Sequence, residues 1–203
     1  MKSGEFEWAA SKSAEVIAAL QVAVRGQAEA CAGVLAAFIS NGHVLIEGLP
    51  GLGKTTLARS LARVLGMEFT RVQLTPDLMP ADLVGTNVFD PATRSFHFAA
   101  GPVFTQFLLA DEVNRTPPKT QSALLEAMQE RQITIDGKTH SLDPGFFVAA
   151  TQNPIEHEGT YPLPEAQLDR FALRLLVRHP PDAAERELLQ AAAEGRPVDG
   201  LEL

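Results

Sequence analysis

The sequence predicts an α/β fold in which a mostly parallel sheet is covered by helices on both faces. Two observations carry this prediction: short, nearly continuous apolar or β-branched runs, and helical patterns that alternate with them. Strands that are buried on both faces have this unbroken apolar character, and parallel strands need long crossover connections. The predicted strands are residues 43–47, 69–74, 107–110, 146–151 and 173–177.

Length and composition indicate one domain of this class with short extensions. The chain has 203 residues, 45% of them hydrophobic and 21% charged, which is ordinary usage for a globular protein with a large core. The net charge of −8 argues against a surface built for nonspecific binding to phosphate backbones, although it is compatible with a local basic patch. No run reaches the ~20 apolar residues of a membrane span, and the N-terminus lacks a signal-peptide pattern. Cys31 is the single cysteine, so no intramolecular disulfide can form, and we expect a core cysteine in a cytoplasmic protein.

Helices are predicted where apolar residues recur every three or four positions. The first two such segments are separated at Gly26, and Gly66 is well placed to end the third. Thr116 is the expected N-cap of the fourth, since threonine is a common capping residue before a helix. The segments with this spacing are 16–24, 30–38, 57–65, 117–128 and 182–195.

Two further segments do not fit the alternation of strands and helices, and we predict that they form β-hairpins. Asp136-Gly137 is a strong signal for a two-residue hairpin turn, and a turn with proline and threonine lies within the other segment. The paired strands are 87–90 with 95–98, and 132–135 with 138–141.

A glycine-rich turn, GLPGLGKT, lies between the first strand and the next helix and matches the pattern GxxxxGK[ST]. Such glycines let backbone N–H groups face phosphate oxygens, and the helix N-terminus adds the positive end of its dipole. Lys54 is expected to reach the β- and γ-phosphates of a nucleotide, and the Thr55 hydroxyl to bind Mg²⁺. The predicted phosphate-binding residues are Gly48, Leu49, Pro50, Gly51, Leu52, Gly53, Lys54, Thr55 and Thr56.

Polar residues follow two of the predicted strands. Ligands of a doubly wound sheet bind at the carboxyl ends of the strands, so Asp111 is expected to hold Mg²⁺, directly or through water. Glu112 is then the expected base that orients and deprotonates the attacking water. Asn153 could bind the γ-phosphate, but asparagine before a proline is also common in turns, and the residue pattern alone favours the turn.

Three long phrases of the sequence resemble MoxR-type AAA+ ATPases. They are GHVLIEGLPGLGKTTLA (42–58), LLADEVNRTPPKTQSALLEAMQERQ (108–132) and ATQNPIEHEGTYPLPEAQLDRF (150–171). The resemblance implies a P-loop NTPase fold, a three-layer αβα sandwich with a five-stranded, mostly parallel sheet and two β-hairpin inserts. It also implies ATP or ADP and Mg²⁺ as cofactors, and an ATPase activity coupled to chaperone-like remodelling or maturation of a partner complex.

The resemblance assigns roles to single residues of the nucleotide site. Asp111 and Glu112 resemble the Walker B pair, and Asn153 resembles sensor 1, which senses the γ-phosphate. The segment around Gly26 resembles the part of the family that lies near the adenine.

The resemblance also implies assembly. Arg170 resembles the arginine finger that one subunit supplies to its neighbour's nucleotide, with Arg115 and Arg131 as competing candidates and a simple salt bridge as the structural alternative. The implied partners are further copies of the chain in a ring, a hexamer when a lid is present, and a von Willebrand A-domain protein or another client complex.

We divide the chain into an N-terminal tail (1–14), an AAA+ core (15–195) and a C-terminal tail (196–203). Phe6 and Trp8 of the first tail are expected to pack onto the core. Family members continue into a small helical lid that supplies a sensor-2 arginine, and no segment of that length follows this core. We expect the polypeptide to be truncated or an unusually short relative, with tight nucleotide closure depending on the lid.

Two other functions stay open at this point. A nucleotide-gated interaction module with little hydrolysis is favoured by the missing lid. A nucleic-acid motor is opposed by the acidic net charge and by the small number of basic residues in the hairpins. Those residues are Arg94, His97, Lys138 and His140.

Overall fold

The structure, a computed structural model, describes residues 3–155, 159–182, 184–186 and 190. In this part of the chain the helices are α1 (Ser3–Ala23), α2 (Ala28–Ile39), α3 (Lys54–Val64), α4 (Pro80–Val84), α5 (Pro118–Glu130) and α6 (Glu165–Leu168). The strands are β1 (Val44–Glu47), β2 (Phe69–Gln73), β3 (Gly85–Asp90), β4 (Ser95–Ala100), β5 (Phe107–Asp111), β6 (Gln132–Ile135), β7 (Lys138–Ser141), β8 (Phe147–Gln152) and β9 (Leu173–Leu176).

A parallel sheet of five strands, in the order β2-β5-β8-β1-β9, forms the centre of the described structure. Alternate residues of its strands point to opposite faces. Val44 and Ile46 pack in the cluster that contains residues of α1, α2 and α3, whereas Leu45 packs in the cluster with residues of α4 and α5. Helices thus cover both faces, and the predicted three-layer fold is confirmed.

Each predicted strand of this sheet agrees with the observed strand to within one residue at either end. Burial explains the agreement for β1 and β5, where every residue is buried and only the last, Glu47 or Asp111, is polar. The edge strands β2 and β9 are partly exposed and are not covered on both faces as predicted. Gly66, with φ 65°, follows α3 as predicted. Cys31 is a fully buried core residue, and burial raises the pKa of its thiol to about 11.

The two predicted hairpins are present as separate antiparallel sheets, β3–β4 and β6–β7. They lie against each other. Asn87 Nδ2 donates a hydrogen bond of 2.7 Å to Asp136 Oδ2, and the Phe98 and His140 rings stack with centroids 4.0 Å apart. The hairpins therefore form one composite surface feature.

Helix α1 begins at Ser3, inside the segment 1–14 that we predicted to be a tail. Phe6 and Trp8 are 65% and 66% exposed, so the prediction that they pack onto the core is wrong. The helix enters the core cluster at its later residues, which include Leu20, and its first turns project into solvent.

The cap of α5 also differs. Thr116 was the predicted N-cap, but Pro117 takes that position, and the buried Thr116 hydroxyl has no hydrogen-bond partner among the described residues. Pro118 fits the first turn of a helix, because its missing N–H would have had no partner there. The consecutive prolines thus begin α5 one residue later. Of the predicted helix 182–195, positions 182, 184–186 and 190 are helical, and the rest, with 196–203, lies outside the described residues.

Candidate functional site

The turn between β1 and α3 depends on glycine for its backbone conformation. Gly51 and Gly53 have φ of 82° and 83°, values that residues with a side chain rarely adopt. A methyl group at Gly51 would meet open space, so the conformation and not crowding requires glycine there. Gly53 is also the N-cap of α3, and it places the first turn of that helix directly at the end of the loop.

The start of α3 is suited to anions. Lys54, its first residue, donates from Nζ to the carbonyl oxygens of Gly48 (2.6 Å) and Leu49 (2.8 Å), so the ammonium lies over the loop. The first N–H groups of a helix have no intrahelical acceptor, and the helix dipole is positive at this end. Together, loop, helix and lysine form a phosphate-binding arrangement.

Asp111, the last residue of β5, is 6% exposed and has defined partners for both carboxylate oxygens. Arg71 on β2 donates to Oδ2 from Nη2 (2.7 Å) and Nε (3.1 Å). The Thr151 hydroxyl on β8 donates to Oδ1. Neighbouring strands thus hold this carboxylate from both sides.

Glu112 follows with a left-handed backbone, φ 60° and ψ 54°. This conformation costs of order 1–3 kcal/mol in a non-glycine residue and occurs often at functional sites. The Glu112 N–H donates to Thr151 Oγ1 (3.0 Å), which fixes the turn. At the side chain, Gln73 Nε2 donates to Oε2 (2.6 Å), and Arg115 Nη1 lies 3.5 Å from the same atom.

A cleft of about 310 Å³ brings most of the sequence-predicted site residues together. Asp111, Glu112 and Asn153 face the loop across it, and Asn153 is 5% exposed. Its lining residues are Pro50, Gly51, Gly53, Lys54, Thr55, Thr56, Asp111, Glu112, Gln152 and Asn153. The oxygen donors of Thr55 and Asp111 are the ligand type that Mg²⁺ prefers, so the donor set fits this ion.

A second cleft, of about 370 Å³, lies on the other side of the same loop and includes Leu52. Val24, Arg25 and Gln27 line this cleft. Gly26 lies between them and packs so closely against Pro180 that a Cβ added at Gly26 would lie 2.9 Å from the proline side chain. Gly26 therefore shapes this segment through its positive φ of 74° and its close packing. The two clefts can accept the phosphates and the base of one nucleotide, since they share Pro50, Gly51, Gly53 and Thr56.

Of the three candidate arginines, Arg115 lies beside Glu112, whereas Arg170 and Arg131 do not line the phosphate cleft. Arg170 is exposed and lines a separate surface cleft of about 480 Å³ with Glu126 and Gln167. Its guanidinium makes no ion pair or hydrogen bond within the described part of the chain, which leaves the salt-bridge alternative without support there. Arg131 differs, because it donates to Pro144 O (2.7 Å), Asn41 O (3.0 Å) and Asn41 Oδ1 (2.7 Å) within the same chain.

Sequence reasoning missed three side chains that contact the acidic pair, namely Arg71, Gln73 and Thr151. A signal for the first two was present. The strand FTRVQ places polar residues at 71 and 73, on one face of a strand that we predicted to be covered on both faces. Thr151 carried no such signal, since threonine is common in strands for its β-branched shape.

Comparison with known proteins identifies the family. The model of the "ATPase family associated with various cellular activities (AAA)" matches residues 43–173, which is more than half of the chain and includes the loop, the acidic pair and Asn153. The chain belongs to this AAA family. Among its relatives, Chaperone MoxR1 of Mycobacterium tuberculosis is 51% identical over 164 residues, 81% of this chain and 44% of the relative. The predicted resemblance to MoxR-type AAA+ members is thereby confirmed.

Two other comparisons agree. YeaC of Bacillus subtilis, an uncharacterised protein, is 51% identical over 168 residues, 83% of this chain and 52% of the relative. The solved structure of a candidate ATPase from Cytophaga hutchinsonii matches with a TM-score of 0.77 and 45% identity, over 93% of this AAA chain and 59% of that one. The chain thus spans about half the length of the curated relatives it matches. Among the residues described above, no helix has the length and apolar character needed to cross a bilayer.

Proposed function

We propose that this AAA protein binds ATP with Mg²⁺ and hydrolyses it, and that hydrolysis drives the remodelling or maturation of a partner protein complex. The convergence of the phosphate loop with Asp111, Glu112 and Asn153 in one cleft carries this proposal. Phosphoryl transfer depends mainly on positioning and electrostatic stabilisation, and these residues can supply both.

The proposed roles follow from the contacts. The loop N–H groups and Lys54 bind the β- and γ-phosphates, for which the lysine exchanges its present contacts with Gly48 and Leu49. Thr55 and Asp111 hold Mg²⁺, which when bound neutralises phosphate charge. Asn153 donates its amide towards the γ-phosphate. Because Asp111 also accepts hydrogen bonds from Arg71 and Thr151, its orientation is set before any ligand binds.

Glu112 is the proposed general base. In the structure Gln73 donates a hydrogen bond to Oε2, which orients the carboxylate and leaves the second oxygen, Oε1, to accept a proton from water. The strained backbone at Glu112 keeps the carboxylate at the mouth of the cleft, next to the end of β5.

Two substitutions test these roles. Glu112→Gln keeps the size of the side chain and removes its basicity, so we expect unchanged ATP affinity and turnover reduced at least ~100-fold. Lys54→Ala removes charge-assisted contacts to the phosphates, so we expect ATP affinity itself to fall about tenfold or more. Equilibrium binding of a fluorescent ATP analogue and steady-state phosphate release measure the two effects.

Lys119→Ala, at an exposed position of α5, is the matched lysine control and should leave both quantities unchanged. Unaltered turnover in Glu112→Gln would remove the proposed base. Unaltered nucleotide affinity in Lys54→Ala would contradict the phosphate loop.

Assembly and partner are further parts of the proposal. We infer a homo-oligomeric ring, a hexamer when a lid is present, in which Arg170 reaches the neighbour's nucleotide. The exposed position of Arg170 supports this. A von Willebrand A-domain protein or another client complex in the cytoplasm is the inferred partner, and the name of the relative Chaperone MoxR1 supports a chaperone-like role. The aromatic residues Phe89 and Phe96, 49% and 70% exposed on the β3–β4 hairpin, offer contact area for a client.

A second candidate is a nucleotide-gated interaction module with little hydrolysis of its own. The contacts of Glu112 with Gln73 and Arg115 favour it, because they occupy the proposed base. Tight ATP binding without turnover at any protein concentration would support this candidate against the first.

A further inference from the structure

Glu47 is a buried carboxylate that the phosphate-loop pattern does not explain. It is the last residue of β1, immediately before Gly48, and is 3% exposed. Ionised glutamate is almost never buried without partners, because transfer from water to the protein interior strongly disfavours the charge. Its presence at the start of the loop therefore requires a compensating environment.

Both carboxylate oxygens of Glu47 are engaged by the strands on either side. Gln152 Nε2 on β8 donates to Oε1, and Arg174 Nη2 on β9 lies 2.7 Å from Oε2. Register explains the contacts, since Glu47 pairs with Gln152 in one ladder and with Leu176, two residues beyond Arg174, in the other. Residues two apart on a strand share a face, so the arginine reaches the same side of the sheet as the carboxylate.

The three strands joined by Glu47 lead into three different parts of the nucleotide site. β1 continues into the phosphate loop, β8 continues into Asn153, and β9 continues towards His179 and Pro180 of the second cleft. Beyond the ladders, two backbone contacts at this point differ in length, with Val177 N–H to Glu47 O at 2.7 Å but Gly48 N–H to Gln152 O at 3.4 Å. The long contact lies between the loop and the strand of Asn153, where the side-chain contact of Glu47 adds a second connection.

We propose that Glu47 is a positioning residue that sets Asn153 against the phosphate loop by fixing the side chain of Gln152, and so makes the site distinguish ATP from ADP. Glu47 acts through its neighbours and does not touch the nucleotide. Gln152 itself lines the phosphate cleft beside Asn153, so a shift of its amide alters the wall that faces the γ-phosphate. This inference rests on the proposed function of the cleft as an ATP site.

The chemistry of the contacts predicts graded effects. Glu47→Ala removes both contacts. Glu47→Gln keeps an acceptor oxygen for Gln152 but loses the charge that pairs with Arg174. We therefore expect Glu47→Ala to displace Asn153 more than Glu47→Gln does, so that the glutamine variant keeps part of the preference for ATP.

Equilibrium affinities for ADP and for a non-hydrolysable ATP analogue, both with Mg²⁺, test the proposal on the full chain. We expect Glu47→Ala to weaken the ATP analogue about tenfold and ADP less than about threefold, because one lost hydrogen-bonded contact near the γ-phosphate is of that size. Gln152→Ala should change the ratio of the two affinities by the same factor. The double variant should change this ratio little more than either single variant does. Glu68→Ala, an exposed acid at the opposite edge of the sheet, controls for charge alone.

An unchanged ratio of the two affinities in Glu47→Ala, or equal losses for both nucleotides, would overturn the proposal and leave Glu47 as a packing residue. If Glu47→Ala prevents folding, Gln152→Ala decides, because it removes the same contact, and an unchanged ratio of the two affinities in that variant overturns the proposal. Wild-type protein that binds neither nucleotide would instead contradict the proposed function of the cleft, so the two failures are distinguishable.

Discussion

His43 lies inside the core at the start of β1 and is 5% exposed. Its Nδ1 accepts a hydrogen bond of 3.0 Å from the Val148 N–H, which leaves Nε2 as the donor to Met128 O, also at 3.0 Å. This pair of bonds satisfies a neutral imidazole and cannot satisfy a charged one. Burial accordingly lowers the pKa of His43 from 6.5 to about 4, with a smaller contribution from the charge of Arg131.

The low pKa predicts a loss of stability in mild acid. In the unfolded chain this histidine binds its proton with the ordinary pKa. The free energy of unfolding is therefore highest above about pH 6.5 and decreases as the pH drops towards 4, by about 3 kcal/mol in total. Urea unfolding at pH values from 7.5 to 4.5 measures this dependence. Because glutamine does not bind a proton in this pH range, we expect the free energy of unfolding of His43→Gln to depend less on pH. His97→Gln, at an exposed site, is the control and should keep the pH dependence of the wild type. Equal slopes for wild type and His43→Gln would contradict the prediction.

Single residues also show where sequence reasoning ends. Asp111 and Glu112 were selected from the sequence because two carboxylates at the end of an apolar strand follow a phosphate-loop pattern upstream, whereas the strand end alone is equally compatible with solvated side chains. The arginine and glutamine of β2 that contact them were not, since a contact between strands distant in the chain depends on sheet order. Glu47 and Gln152 were missed for the same reason. Each lies beside a recognisable motif, but their contact appears only once β1 and β8 are neighbours.

Among the elements, the β3–β4 hairpin is joined to the core through two glycines. Gly85 has φ 93° and pairs with Ala100, and a methyl group there would lie 2.3 Å from Ala99 O. At Gly101 a methyl group would lie 2.2 Å from Leu83 O and 2.5 Å from Gly85 N. Both obstacles are backbone atoms, so a side chain cannot rotate away to make room. The hairpin base is therefore close-packed backbone.

Gly101→Ala should displace this base and destabilise the protein by about 2 kcal/mol, the usual size for an overpacked site. Chemical denaturation at constant pH measures the change. Gly145→Ala is the matched control, because its nearest obstacle is the Asp143 carboxylate at 3.2 Å, and its cost should be small. Equal midpoints for Gly101→Ala and wild type would show that the hairpin base can move without cost.

Elements differ in how well they could be predicted. Strands buried on both faces and the Asp136-Gly137 turn have local signals, and they were located to within one residue. The first turns of α1 have no such local signal. Large apolar residues such as Phe6 and Trp8 are usually buried, and the sequence does not show that these two lie on an exposed part of the helix. The prediction of where α5 begins was wrong for another reason. Threonine is a good cap in general, but the two prolines after it fix the backbone more strongly.

At the scale of the whole molecule, the described chain places Arg170 and the phosphate loop in different clefts. Asp111 and Glu112 line the cleft with the loop, whereas Arg170 lines the one with Glu126 and Gln167. An arginine that stabilises the transferring phosphoryl group must touch it, so the role proposed for Arg170 requires the nucleotide of another copy. Such head-to-tail contacts generate rings or filaments, and hydrolysis then depends on assembly.

Mixing two inactive variants tests this arrangement. Arg170→Ala retains its own base but offers no arginine, and Glu112→Gln offers the arginine but lacks the base. In a random equal mixture of assembled chains, about one site in four combines an intact Glu112 with a neighbour's intact Arg170. We expect phosphate release to recover to about a quarter of the wild-type rate, from levels reduced at least ~100-fold in Glu112→Gln and by ~10³ or more in Arg170→Ala.

The recovery should depend on protein concentration, because only assembled chains share a site. Arg63 is an exposed arginine of α3, and the Arg63→Ala variant is the control for Arg170→Ala. We expect Arg63→Ala to release phosphate on its own, without a second variant. A mixture no more active than the sum of its parts would remove Arg170 from the shared site. Arg131 could not simply take its place, because its contacts with Asn41 and Pro144 join the end of α5 to the loop before β1, and release from them would loosen the chain's own fold.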